Sequence, residues 1–293
     1  MSWVVFLGGS ESHRPFVEAA RQQYRIVMFD VDAAAPCREL ADEFQAVSCH
    51  DYWEMSSHCE MLDGIAGVMS HCSAVQAIKA RAELAEDFGL PCYSPLVAKV
   101  VYNKAKWKAK LSKEVDELGI GWMATPEFCK LDGNDLGYSW HGQSLMKPIH
   151  GFGGDGVVPG FFACNWEYPG WMLESFVDGA EYSINGYRRG GDIGLLAILR
   201  KFSFREYLSV AWEERFQRVA QRVLYWLGIN HSFFAVDVID DGEKLWVIDV
   251  GLLLDSGVDV LLTRYGRAPY ELAVQLATGA ELQPWGTLEA GCS

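Results

Sequence analysis

Two lysines, Lys104 and Lys147, are placed so that their ammonium groups could meet one polyphosphate. Lys147-Pro148 runs directly into Gly151-Phe152-Gly153-Gly154-Asp155-Gly156. A glycine loop between two strands can lie over a nucleotide and offer backbone N–H groups to phosphate oxygens without side-chain clashes. Gly153 and Gly154 in this loop are candidate nucleotide-binding positions. The hexapeptide matches G-x-G-x-x-G, but a dinucleotide site needs a helix after it, and here a Val-rich strand follows. Val158 extends a kinase-like pattern, yet neither H-R-D nor D-F-G occurs downstream.

Two further groups supply carboxylates. The segment Met172-Leu173-Glu174-Ser175-Phe176-Val177-Asp178-Gly179-Ala180-Glu181 sets an acid, an apolar stretch, a glycine turn and a second acid at close spacing. Such a connector can hydrogen-bond adenine through its backbone and ribose through Glu181. Asp237 and Asp249 flank the turn Asp240-Asp241-Gly242 of a hairpin. Adjacent antiparallel strands could bring both carboxylates to one Mg2+, which prefers hard oxygen ligands and completes its shell with water and phosphate.

The elements that must position these residues read as α/β, with an α+β character in the second part. An apolar strand over 3–8, a helix over 14–24 and a strand over 25–30 open a βαβ unit. A short strand over 67–70 and an Ala-rich helix over 74–88 complete a small layer, ended by Gly89 and Pro91. Asp30 and Asp32 end the second strand, but the first turn carries only Gly8-Gly9, which argues against a dinucleotide fingerprint. A lysine-rich helix over 98–118 carries Lys104. Strands over 144–147, 157–162, 171–177, 181–187 and 193–201 then continue a mainly antiparallel sheet. A helix over 213–227, the hairpin 233–250 and a helix over 270–276 close the chain. Domain boundaries are expected at 1–97, an N-terminal layer, and 98–293, divided into 98–180 and 181–293.

Composition narrows the class of function. The 293 residues are half hydrophobic, enough for a sizeable core, and carry a formal charge of −14. That acidity argues against a nucleic-acid partner, which needs clustered Lys and Arg. Neither a secretion leader nor a run of about 18 apolar residues is present, so a cytoplasmic protein without membrane partners is expected. The eight cysteines lack C-x-x-C spacing and read as reduced thiols. His50, His58-Cys59 and His71-Cys72 match no zinc pattern and read as ordinary core or surface residues.

Taken in order, these pieces resemble the ATP-grasp superfamily over nearly the whole chain. The resemblance is carried by Gly89-Leu90-Pro91-Cys92-Tyr93-Ser94 before the Lys-bearing helix, then Lys147-Pro148 with its glycine loop. The L-E-x-F-V-x-G-x-E-Y-S segment from Leu173 and the hairpin D-V-I-D-D-G to V-I-D-V follow. It implies an ATP-grasp fold with an N-terminal Rossmann-like pre-ATP-grasp domain. It also implies ATP phosphates on Lys104 and Lys147, adenine and ribose among Glu174, Phe176, Val177 and Glu181, and Mg2+ on Asp237 and Asp249. The implied activity is an ATP-dependent carboxylate–amine ligase forming an amide or peptide bond through an acyl phosphate. Arg200 and Lys201 are the candidates for orienting the substrate carboxylate, with Arg205 behind them. Small-molecule carboxylate and amine substrates and a homodimer fit that picture.

The sequence departs from the family where E-x-N-x-R is usual, having Asp249-Val250-Gly251-Leu252-Leu253 instead. Asp249 is one methylene shorter than glutamate, Gly251 offers no ligand, and Leu253 no charge. Asp255 or Asp259 would replace the missing ligand if the loop curls back. A non-catalytic nucleotide-binding regulator descended from such ligases is therefore the rival reading. Phosphoryl transfer to a hydroxyl, or a bicarbonate-using ligase, is a third. Trp140, Trp166, Trp171 and Tyr207 could line an aromatic pocket but are assigned no role.

Overall fold

A computed structural model describes residues 1–131, 143–151, 156–159, 170–203, 206–211, 213–255, 257–283 and 285–292, without the side chains of 203, 206 and 207. Strands β1 (Trp3–Leu7), β2 (Arg25–Phe29), β3 (Glu43–Gln45) and β4 (Ile65–Met69) form a parallel sheet in the order β3-β2-β1-β4. Every residue of β1 is buried, as expected of a central parallel strand covered on both faces. Helices α1 (Arg14–Arg21) and α2 (Tyr52–Glu60) connect strands of this sheet, and α3 (Val75–Asp87) follows β4. One of the covering helices comes from the far end of the chain: α8 (Tyr270–Thr278) packs on α1 and β4. Gly67 permits this, because a Cβ there would stand 2.8 Å from the carbonyl oxygen of Ala277.

The expected helix over 98–118 is instead two helices, α4 (Pro95–Val101) and α5 (Lys104–Glu117). The break has a local cause. Ser94 caps α4 by accepting from the Val97 amide, with Pro95 in its first turn, while extended Asn103 caps α5 by accepting from the Lys106 amide at 2.9 Å. Lys104 thereby becomes the first residue of a helix, and its own amide donates to the Ile149 carbonyl at 2.9 Å.

The expected single antiparallel sheet is two sheets. β5 (Met123–Ala124) and β6 (Phe128–Lys130) precede β7 (Ser144–Pro148), β8 (Val158–Pro159) and β9 (Trp171–Ser175); β6, β9, β7 and β8 form one antiparallel sheet in that order. β10 (Ala180–Arg189), β11 (Asp192–Ser203) and β12 (Glu206–Ser209) join β13 (Ser232–Asp240) and β14 (Leu245–Gly251) in a second sheet, ordered β12-β11-β10-β13-β14-β5. Its β5 edge is parallel to β14 and comes from residues 123–124, ahead of the expected division at 180. Alternation along these strands sends Ile184, Ile198, Val236, Val238 and Val247 into a core with α4, α5 and α6 (Glu214–Leu227). On the other face, Tyr187, Ala197, Leu199 and Phe233 pack with Phe16, Val17 and residues of α7 (Val258–Arg264) and α8. The remainder of that face, toward Glu181 and Asp237, opens on the β6–β9 sheet. No helix among the described residues is long and apolar enough to cross a membrane.

Candidate nucleotide and metal site

The cleft between the two antiparallel sheets, about 270 Å3, is lined by Lys104, Lys147, Glu174, Phe176, Val177, Glu181, Asp237 and Asp249. Residues from α5, β7, β9, β10, β13 and β14 thus reach one space. Lys147 is buried on β7, and its ammonium pairs with Oε1 of Glu174, which is 2 % exposed. The other Glu174 oxygen, Oε2, lies 2.8 Å from Nζ of Lys108. Two ammonium groups therefore share one buried carboxylate, which is how a buried acid and buried bases become tolerable together.

Lys108 was not singled out from sequence. It lies four residues after Lys104 on α5, hence on the same face of the helix, and that spacing was the available signal. Its side chain has no solvent exposure, and Nζ sits 4.5 Å from the centre of the Trp107 ring. Complete burial pushes its pKa down to about 8, with Lys147 adding to the effect and Glu174 opposing it.

Asp237 and Asp249 stand directly opposite each other across the β13/β14 pair. A bulge makes this possible: Asp237 pairs with Asp249 and Val238 with Val247, leaving Ile248 extra. The burial pattern of β14 records it, with Ile248 and Asp249 both at the cleft while Val247 and Val250 enter the core. Asp249 Oδ2 is 2.6 Å from Lys104 Nζ. Asp237 Oδ2 accepts from Lys201 Nζ at 2.9 Å, whereas its Oδ1 is buried and has no hydrogen-bond partner. Loss of water raises the Asp237 pKa to about 6 against the pull of Lys201, and Asp255 raises it further.

Asp255 does curl back: Oδ2 lies 2.8 Å from Lys201 Nζ. Asp259 does not, and sits in the first turn of α7, where its charge acts on His71. Arg200 is not brought to the cleft. It neighbours Lys201 on β11, so alternation sends it to the opposite face, exposed and 5.2 Å over the Phe202 ring. Gly251, two residues after Asp249 on β14, has only ordinary contacts around a would-be Cβ, 3.8 Å or more away. Leu253 instead lines a small cavity with Phe16, Phe233, His71 and Arg81. The Phe176 amide already donates to the Gln143 carbonyl at 3.0 Å, which anchors the connector after β9. Gly153, Gly154, Arg205, Trp140 and Trp166 lie outside the described residues. Elsewhere, His58 pairs with Glu43 at 3.1 Å, and His71 stacks on Phe16 and meets His13 edge to face. Among the described residues no group of three or more His, Cys, Asp or Glu is arranged to hold a metal ion.

No protein-family model matches this sequence, and no curated protein matches it. Solved structures do. An L-amino acid ligase from Bacillus licheniformis superposes with a TM-score of 0.74 at 19% identity, over 97% of this chain and 78% of that one. N5-carboxyaminoimidazole synthetase from Staphylococcus aureus, complexed with ADP, gives 0.74 at 15% identity over 99% and 80%. A protein assigned to the ATP-grasp superfamily from Archaeoglobus fulgidus gives 0.64 at 16% identity over 97% and 90%. The chain has the ATP-grasp fold.

Proposed function

We propose that the chain is a cytoplasmic, ATP-dependent carboxylate–amine ligase that joins small metabolites into an amide or peptide through an acyl phosphate. The observation that supports this most is the convergence of Lys104, Lys147, Asp237 and Asp249 on one cleft, between sheets arranged as in two solved enzymes of carboxylate and amine chemistry. On this reading residues 1–97 form a pre-domain. Residues 98–293 form the nucleotide-binding part, divided near residue 180.

In the first step a substrate carboxylate oxygen attacks the γ-phosphorus of ATP, and ADP leaves. In the second the amine nitrogen attacks the acyl carbon, phosphate leaves, and the nitrogen gives up a proton. Lys104 and Lys147 hold the phosphates by exchanging a carboxylate partner for phosphate oxygens. Glu174 does not become an unpaired buried charge in that exchange, because Lys108 remains on its other oxygen. The connector at Phe176 and Val177 takes the adenine and Glu181 the ribose. Lys201, 2.9 Å from Asp237, is the cation assigned to the substrate carboxylate.

The donors fit magnesium: they are hard carboxylate oxygens, and Asp237 Oδ1 is buried without a partner. Asp237 and Asp249 would hold the ion, with phosphates and water as its other ligands. When bound, it offsets negative charge on the transferring phosphoryl group.

The test is ADP release from Mg-ATP with hydroxylamine present, screened over pools of amino acids and other small carboxylates. A hydroxamate with one pool is the expected result. ATP binding without hydroxamate or ADP in any pool would favour a non-catalytic nucleotide-binding regulator. Gly251, which offers no side-chain ligand, and Leu253, which lines a separate cavity with Phe16 and Phe233, are the observations on that side.

A further inference from the structure

Lys201 occupies an unusual place among the charged groups of the cleft. Its Nζ lies 2.9 Å from Asp237 Oδ2, 2.8 Å from Asp255 Oδ2 and 3.7 Å from Glu181 Oε1. The acids come from β13, from the loop after β14 and from β10, so the ammonium joins three separate pieces of chain. The seat is built from behind by buried polar groups. The Asp255 amide donates to Asn185 Oδ1 at 2.7 Å, and Asn185 Nδ2 donates to Ser183 Oγ at 3.0 Å. Asn185 and Ser183 have no solvent exposure. Ser183 pairs in register with Asp237. The loop that carries Asp255 is therefore tied to buried side chains of β10.

We propose that the Lys201 ammonium is a resident cation of this site. It fills the position between Asp237 and Asp255, so that the cleft admits one divalent ion with its nucleotide, on the Asp237–Asp249 side. Three features lead there. The ammonium already has two carboxylate oxygens at contact distance, which a divalent ion would have to displace. Asp237 turns its other oxygen, Oδ1, away from any protein partner, leaving it for an ion shared with Asp249 directly opposite. Gly251, two residues beyond Asp249 on the same face of β14, adds no donor that could hold a further ion, although there is room for a side chain. A tethered ammonium differs from a metal in that it cannot be removed by a chelator and cannot activate water as a Lewis acid.

The inference rests on the ligase reading only for the identity of the nucleotide. Mn2+ binding is counted by electron paramagnetic resonance, with and without a non-hydrolysable ATP analogue, for wild type, Lys201→Met and Lys201→Arg. Wild type and Lys201→Arg are expected to take one Mn2+ per chain with the analogue, and Lys201→Met two. Without nucleotide, Lys201→Met should bind Mn2+ at least roughly tenfold more tightly than wild type, since a like charge has left the site. Two ions in wild type, or a methionine variant indistinguishable from it in both conditions, would overturn the proposal. Circular dichroism checks the fold of each variant, and the wild-type count decides the matter even if Lys201→Met does not fold. Failure of the analogue to bind wild type would count against the ligase reading; the nucleotide-free comparison would still decide this one.

Discussion

Lys104 Nζ lies 2.6 Å from Asp249 Oδ2, a contact that ties the first residue of α5 to the last β-hairpin across 145 positions of sequence. The pair links the group proposed for phosphate to the group proposed for metal, so changing one disturbs the other. Asp249→Asn removes the charge while keeping the shape. Turnover in the hydroxylamine assay should fall on the order of 100-fold, the scale of losing one electrostatic contact to the transition state. The circular dichroism spectrum should stay that of wild type. Full activity in this variant would remove Asp249 from the site.

Lys147→Ala acts on binding rather than on the chemical step alone. The ammonium is buried beside Glu174, and without it no other group on β7 supplies positive charge to the cleft. ADP affinity measured by calorimetry should drop by roughly tenfold or more, as expected for losing a charge-assisted contact. Stability should change less than for an orphaned buried acid, because Lys108 keeps its pair with Glu174. Normal ADP affinity would show that the phosphates lie elsewhere.

Much of this site was legible because its residues are chemically distinctive and adjacent to clear strand or turn signals. Lys147 before a glycine loop, Glu174 before a turn, and Asp237 and Asp249 around Asp-Asp-Gly all fall in short, self-announcing segments. Lys108 was hidden by its neighbours, since four lysines crowd residues 104–110 and only the fold shows which face of α5 is buried. Arg200 and Lys201 looked equivalent as neighbours, and strand alternation separates them. The split of 98–118 into two helices turned on capping by Asn103, a local competition that hydrophobic periodicity does not register. The separation of one expected sheet into two depends on long-range pairing, which no short window of sequence contains.

Lys108 should make nucleotide binding sensitive to alkaline pH. Burial lowers its pKa to about 8, so the ammonium is charged below that value and neutral above it. Once neutral, it no longer balances Glu174, and Lys147 becomes the only cation on that carboxylate and less available to phosphate. ADP affinity should therefore weaken several-fold between pH 7 and pH 9, before an ordinary lysine titrates. Lys108→Met should begin weaker and stay flat over that range. For the folding equilibrium the sign is opposite. Between about pH 8 and the ordinary lysine value the unfolded chain binds more protons, so this group alone makes the fold more stable as pH rises. A wild-type affinity independent of pH from 7 to 9 would disconnect Lys108 from the nucleotide.

Gly179 tests how tightly the connector must approach β13, the strand that carries Asp237. A Cβ at this position would stand 2.4 Å from the carbonyl oxygen of Asp240 and 2.7 Å from Cγ2 of Ile239. Ile239 lines the cleft, and Ala180, next in sequence, pairs in register with Asp240. Backbone cannot yield as a flexible side chain would, so Gly179→Ala must push β10 away from the end of β13. The expected cost is about 1–3 kcal/mol, the range for overpacking a tight contact. It should be read as a lower melting temperature, with ADP affinity falling as well because Glu181 moves with β10. Gly191→Ala is the matched control, since a Cβ there meets nothing within 4 Å. Equal melting temperatures for the two variants would mean that the β10–β13 junction relaxes freely, and that the spacing between Glu181 and Asp237 is not set by this contact.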